Sequence, residues 1–155
     1  MSPDHAMRQV RVLGDGCAAL SLAARADELA GHRLTLVRPQ GAPQETDHIW
    51  GFWDGPNLAA ASRLARKRWH SWSIVTRRGK AVLRSQERPY TALHRLDWTA
   101  HCREAASRAG VAILTGGEAA TEADQVFDSR PPPVPDGMML QHFLGLEVRS
   151  RRAIF

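Results

Sequence analysis

VRVLGDGCAALSLAARADELAGHRLTLVRPQ, residues 10–40, decides how the chain is read. VRVL (10–13) is a short β-branched run that stops at a glycine, the pattern of a buried strand. From Cys17 to Ala30 the residues are mostly Ala and Leu. Leu20, Ala23, Ala24 and Leu29 form an apolar side, and Gly31 suits a left-handed cap that ends a helix. RLTLV (33–37) alternates and reads as a second strand. Strand, glycine turn, helix and strand make a βαβ unit, which requires parallel strands and a right-handed crossover.

The turn carries a dinucleotide pattern, G-x-G-x-x-A, on Gly14, Gly16 and Ala19. The first glycine makes the tight turn and the second lets a pyrophosphate approach the backbone. The third place needs a small residue so that helix and strand pack closely. A helix starting at Cys17 and Ala18 offers free N–H groups to phosphate. The competing reading is a βαβ unit whose glycine turn binds nothing. An acid for the adenosine ribose is expected at the end of the second strand, where this chain has Val37-Arg38. Arg38 could accept a 2′-phosphate, stack on adenine or contact a phosphate. Glu45 and Asp47 follow in the loop as substitute acids.

Outward from this unit, PQGAPQETDHIWGFWDGPN (39–57) is rich in proline and glycine and is expected as a long functional loop. Leu58–Arg68 is expected as a helix, and SIVTRRGKAVLRS (73–85) as a hairpin with Gly79 in its turn. Asp97 is placed to cap a helix that runs to Ala109 and stops at Gly110. VAIL (111–114) and QVFDS (125–129) read as strands, RPPPVPDG (130–137) as a break, and MMLQHFLGLEVRS (138–150) as strand-like.

The 155 residues suit one ordinary domain: a glycine-rich βαβ unit at 10–38, an excursion and hairpin at 39–96, and a helix with returning strands at 97–155. The N-terminus MSPDHAMRQVRVL carries no apolar signal region, and no apolar run reaches the roughly 20 residues needed to span a bilayer. A cytoplasmic protein is expected, with peripheral contact at the inner membrane. Cys17 and Cys102 have no metal-ligand spacing and are expected as free thiols. The net charge of +5 attracts anionic partners without choosing among them. No nucleic-acid motif accompanies it. The densest basic run is SRLARKRWHSW (62–72). Either it lies on anionic lipid with Trp69 and Trp72 at headgroup level, or it is a solvated helix face followed by core tryptophans.

Later motifs occur in a fixed order: DHIWGFWD (47–54), WHSW (69–72), YTALHRLDW (90–98), VFDSRPP (126–132) and LQHFLGLEV (140–148). With the glycine turn they resemble the N-terminal half of lycopene cyclases, the flavin-dependent β-cyclases of carotenoid synthesis, over roughly Val10 to Val148. The resemblance implies an α/β, Rossmann-like fold of the glutathione-reductase type with part of a β-rich substrate region. It implies FAD in reduced form, assisting without net redox change, while a proton added to the end of linear lycopene closes an ionone ring. By position, Gly14, Gly16, Cys17, Ala18, Ala19 and Arg38 would surround the FAD pyrophosphate, and Asp128-Ser129 would form a turn near the flavin. His48, Trp50, Phe52 and Trp53 would lie near the isoalloxazine or the substrate channel. Aromatic faces tolerate a carbocation because their quadrupole attracts cations.

The family's acidic motif, with its proton donor, and its second glycine segment fall beyond Phe155. The expectation is therefore a fragment without cyclase activity of its own. Asp54 reads as a turn residue, His142 as a strand histidine, and Glu147 could face either side of its strand. No Ser-His-Asp order, zinc pattern or P-loop occurs. Two other readings stay open: an FAD-dependent monooxygenase or reductase of the same fold, and a non-catalytic remnant.

Overall fold

The computed structural model describes residues 7–42, 44–116 and 122–130. Its elements run β1 (Arg8–Leu13), α1 (Cys17–Ala23), β2 (His32–Arg38), β3 (Ile49–Trp53), α2 (Ala59–Arg63), β4 (Lys67–Trp69), β5 (Ser71–Thr76), β6 (Gly79–Arg84), β7 (Tyr90–His94), α3 (Arg95–Arg108), β8 (Ala112–Thr115) and β9 (Gln125–Asp128). β1 and β2 pair in parallel, with Val10 beside Leu34 and Val12 beside Leu36. β8 adds to β2 and β9 adds to the far side of β1, both parallel, giving the order β8-β2-β1-β9. The chain therefore reverses its direction of growth between β1 and β9. In open α/β sheets ligands bind beyond the carboxyl ends of strands at such a switch point.

Strand alternation sends Val10, Val12, Leu34 and Leu36 to one face of the sheet, where all are buried. α1 and α3 cover that face with Leu20, Ala23, Cys102 and Ala106, forming one core cluster. The two helices are also tied by Trp98 Nε1, which donates to Ser21 Oγ at 3.1 Å.

Between β2 and α3 the chain makes two antiparallel sheets, β3-β7-β4 and the hairpin β5-β6. The loop expected over 39–57 thus contains β3, fixed by its pairing with β7 from Ile49–His94 to Trp53–Tyr90. The helix expected over 58–68 stops at Arg63. Arg66 N–H donates to Ala92 O at 2.8 Å and draws Lys67–Trp69 into the sheet. α1 also ends earlier than its composition suggests. Arg25 N–H bonds Leu22 O and Leu29 N–H bonds Ala26 O, two i→i+3 contacts that tighten the chain into a 3₁₀ turn over Ala26–Glu28. Gly31 does adopt the left-handed conformation, φ 74°, where this turn enters β2. The hairpin forms with Gly79 at φ 144°. The expected segments at 130–137 beyond Arg130 and at 138–150, with His142 and Glu147, lie outside the described residues.

Candidate active site at the glycine turn

β1 ends at Leu13 and the turn that follows is held from both sides. Gly14 N–H donates to Val37 O at 2.8 Å, and Ser129 N–H and Oγ both donate to Leu13 O at 2.9 Å. Gly14 has φ 110°, and a Cβ built there would lie 2.5 Å from Ser129 Oγ. Backbone conformation and the close approach of the β9 turn each demand glycine. Gly16 differs: a Cβ there would meet open space. It caps α1 in extended conformation with no side-chain bond, and the first turn of α1 carries no acid. The leading amides of the helix, which have no partner within it, are left uncapped beside exposed Gly16, Cys17 and Ala18. Ala19 faces the other way and is 1% exposed, so the small residue at the third place serves helix–strand packing.

A cleft of about 460 Å³ opens over this turn, lined by Gly14, Asp15, Gly16, Arg38, Glu45, His48, Arg95, Ser129 and Arg130 among others. Its outer wall is a chain of ion pairs. Asp15 Oδ2 lies 3.5 Å from both Arg38 Nη1 and Arg103 Nη2. Arg103 grips both oxygens of Glu45, through Nη1 at 3.2 Å and through Nη2. Arg95 approaches the same carboxylate at 3.8 Å and donates to Thr46 O at 3.0 Å. The Arg103 hydrogen bond holds the Glu45 carboxyl below its ordinary range. The cleft is thus lined with guanidinium groups whose own counter-ions are already seated.

The other sequence-chosen residues separate. His48 lines the cleft, and Trp50 Nε1 donates to its Nε2 at 2.8 Å. An indole can only donate, so in the neutral imidazole the proton sits on Nδ1. Phe52 shares the Trp50 side of β3 by strand alternation. Trp53 is on the opposite side and packs against Trp72 and Tyr90, with ring centroids 4.4 and 4.9 Å away. Cys17 is exposed, its Sγ 4.0 Å from Ser21 Oγ. Asp128 turns away from the cleft: Arg130 bonds both its oxygens, at 2.9 and 2.6 Å, and holds its carboxyl at about 2. Of the two substitute acids, Glu45 stands in the cleft. Asp47 instead accepts Leu96 N–H at 3.2 Å and His94 Nδ1 at 2.8 Å. It thereby caps α3 from a distance, the role the sequence reading gave to Asp97. Arg95, Arg103 and Gly51 were not singled out. Gly51 admits the Tyr90 hydroxyl, which a Cβ would overlap.

A family model described as lycopene cyclase protein matches residues 9–155. The chain belongs to the lycopene cyclase family. No curated protein matches the chain. Among solved structures it is similar to the tetrameric form of 2-methyl-3-hydroxypyridine-5-carboxylic acid oxygenase, at 16% identity and a TM-score of 0.51, covering 70% of this chain and 31% of that one. It is similar to the peptidyl tryptophan dihydroxylase QhpG at 17% identity and a TM-score of 0.52, covering 86% and 35%. It is also similar to CtdE in complex with FAD and a substrate, at 19% identity and a TM-score of 0.51, covering 70% and 30%. These likenesses show the fold. The chain spans about a third of the length of each.

Proposed function

We propose that the cleft holds the adenosine diphosphate half of FAD in a lycopene cyclase that converts linear lycopene ends to β-ionone rings. The observation that carries this is the Gly14-Asp15-Gly16 turn at the β1/β9 switch point, open at Gly16 and ringed by arginines. The first amides of α1 would meet the pyrophosphate, with Arg38 contributing from the side. This selects phosphate contact among the three roles open to Arg38, because its guanidinium already lies against Asp15 in the turn. Glu45, kept ionised by Arg103, supplies the acid that the end of β2 lacks and would accept the ribose hydroxyls. Ser129 holds the β9 turn against Gly14, and Asp128 orders it through Arg130. His48, steadied by Trp50, forms the wall on the flavin side. Reduced FAD, when bound, assists the cyclisation without net redox change.

The proton donor must be a carboxyl with a raised pKa. Glu28, Glu45, Asp47, Asp54 and Asp128 are all displaced downward, each by hydrogen bonds or cationic neighbours that favour the ionised form. Each of these five is held toward its ionised form, which does not suit a proton donor; the part proposed for this chain is cofactor binding. The substrate is a linear carotenoid. The oxygenase structures of similar fold support a second reading, an FAD-dependent monooxygenase. Carotenoid profiling in a lycopene-accumulating bacterium separates the two, since cyclisation leaves the molecular formula unchanged and oxygenation adds oxygen.

Gly16→Asp tests the binding claim without disturbing the fold. Aspartate is a favoured N-cap, and it would place a carboxylate where the phosphate should sit. FAD affinity, followed by flavin fluorescence, should fall at least about tenfold while thermal stability holds or rises. Unchanged affinity would remove the turn from the site.

A further inference from the structure

Arg38 ends β2, the place from which dinucleotide folds tell a free adenosine ribose from a 2′-phosphorylated one. An acid there accepts the ribose hydroxyls, and an arginine accommodates a 2′-phosphate. By position alone this chain should take the phosphorylated nucleotide. The groups around Arg38 reverse that expectation.

Arg38, Arg95 and Glu45 all line the cleft. Arg95 Nη2 lies 3.8 Å from Glu45 Oε1, and Arg38 is near enough to favour the charged carboxylate. Arg103 lies outside the cleft lining, further along α3. It bonds both oxygens of Glu45 and stands 3.5 Å from Asp15 Oδ2. A bidentate pair of this kind is the match that a planar guanidinium makes with carboxylate or phosphate, and it fixes the direction of the carboxylate. The Glu45 side chain is accordingly only 19% exposed. Glu45 thus occupies the place that an incoming anion would take among these arginines. Arg38 has a further counter-ion in Asp15, 3.5 Å away in the glycine turn. Three guanidinium groups therefore meet two carboxylates, which leaves one net positive charge. An ionised carboxylate only accepts hydrogen bonds. A ribose hydroxyl can donate to it, whereas a phosphate meets it as a like charge, and placing like charge against the wrong ligand is how sites discriminate. Asp47 cannot share this role, because it is engaged with Leu96 N–H and His94.

We propose that Glu45 makes the cleft select a free adenosine 2′-hydroxyl over a 2′-phosphate, with Arg103 as the positioning residue that holds its carboxylate in place. This rests on the reading of the cleft as an adenosine diphosphate site and adds which adenosine it accepts. Arg38 and Arg95 then form a latent phosphate site that Glu45 keeps filled.

The test is isothermal titration of the full chain with ADP and with 2′-phospho-ADP, which differ by one phosphate. The wild type should favour ADP by at least about tenfold. Glu45→Gln leaves two net positive charges in the cluster, so it should weaken ADP and tighten 2′-phospho-ADP, closing or inverting the ratio. Opposite changes for two ligands cannot come from a damaged fold. Arg103→Gln should weaken ADP while 2′-phospho-ADP stays excluded, since the Glu45 charge remains. Added to Glu45→Gln, it should change ADP affinity by no more than about twofold, because there is no carboxylate left to position. ADP bound without discrimination by the wild type would overturn the proposal while leaving the adenosine diphosphate reading intact. So would a Glu45→Gln chain that loses affinity for both ligands equally. Failure of the wild type to bind ADP at all would remove that reading and this proposal together.

Discussion

Gly14 is constrained in two ways. A Cβ would strain a backbone at φ 110° and also strike Ser129 Oγ. Gly14→Ala should therefore cost about 1–3 kcal/mol in urea unfolding, and Ser129→Ala in the same chain should recover only the steric part. Glu45 makes a different prediction, in pH. Its folded pKa is depressed by Arg103, so its contribution to stability is present above the unfolded carboxyl value and is lost as pH falls through the lower folded value. Stability measured from neutral to acid pH should drop for the wild type. Glu45→Gln should lie below the wild type near pH 7 and converge with it in acid; parallel curves would contradict the pairing. Gly14 and Gly16 were legible in the sequence because their constraint is local. The pair Glu45–Arg103 was not, because its partners lie 58 residues apart and only the α3 crossover joins them.

At the scale of elements, the βαβ unit was legible because two alternating strands and an Ala/Leu helix carry their own periodicity. β3, β4 and β7 carry little. IWGFW is interrupted by Gly51, and KRW is exposed at each residue, so these strands exist through pairing with one another rather than through pattern. The cap of α3 was misread for a similar reason: Asp97 lies in the first turn, but the carboxylate that reaches Leu96 N–H comes from Asp47. The packing of α3 on α1 can be checked through the thiols. Cys102 is buried between the helices, and burial pushes its thiol up to about 11, whereas Cys17 is exposed. A disulfide reagent should modify one thiol per folded chain at neutral pH and both in denaturant. Rapid modification of Cys102 in the folded chain would show that the two helices do not close over it.

For the whole molecule, the fold class was legible from one 31-residue stretch, while the separation of the aromatic residues was not. His48 lines the cleft with Trp50 bonded to it, and Trp53 goes to the cluster with Trp72 and Tyr90, because β3 presents alternate residues to opposite sides. The proposed nucleotide cleft lies at the switch point of the parallel sheet, while the aromatic cluster of Trp53, Trp72 and Tyr90 lies on the antiparallel strands. The central claim is that the cleft recognises the adenosine diphosphate half of FAD, and isothermal titration with FAD, ADP and FMN tests it most directly. The account predicts that FAD and ADP bind and compete for one site while FMN does not bind. Binding of FMN as tight as that of FAD, or no binding of either FAD or ADP to the folded chain, would contradict it.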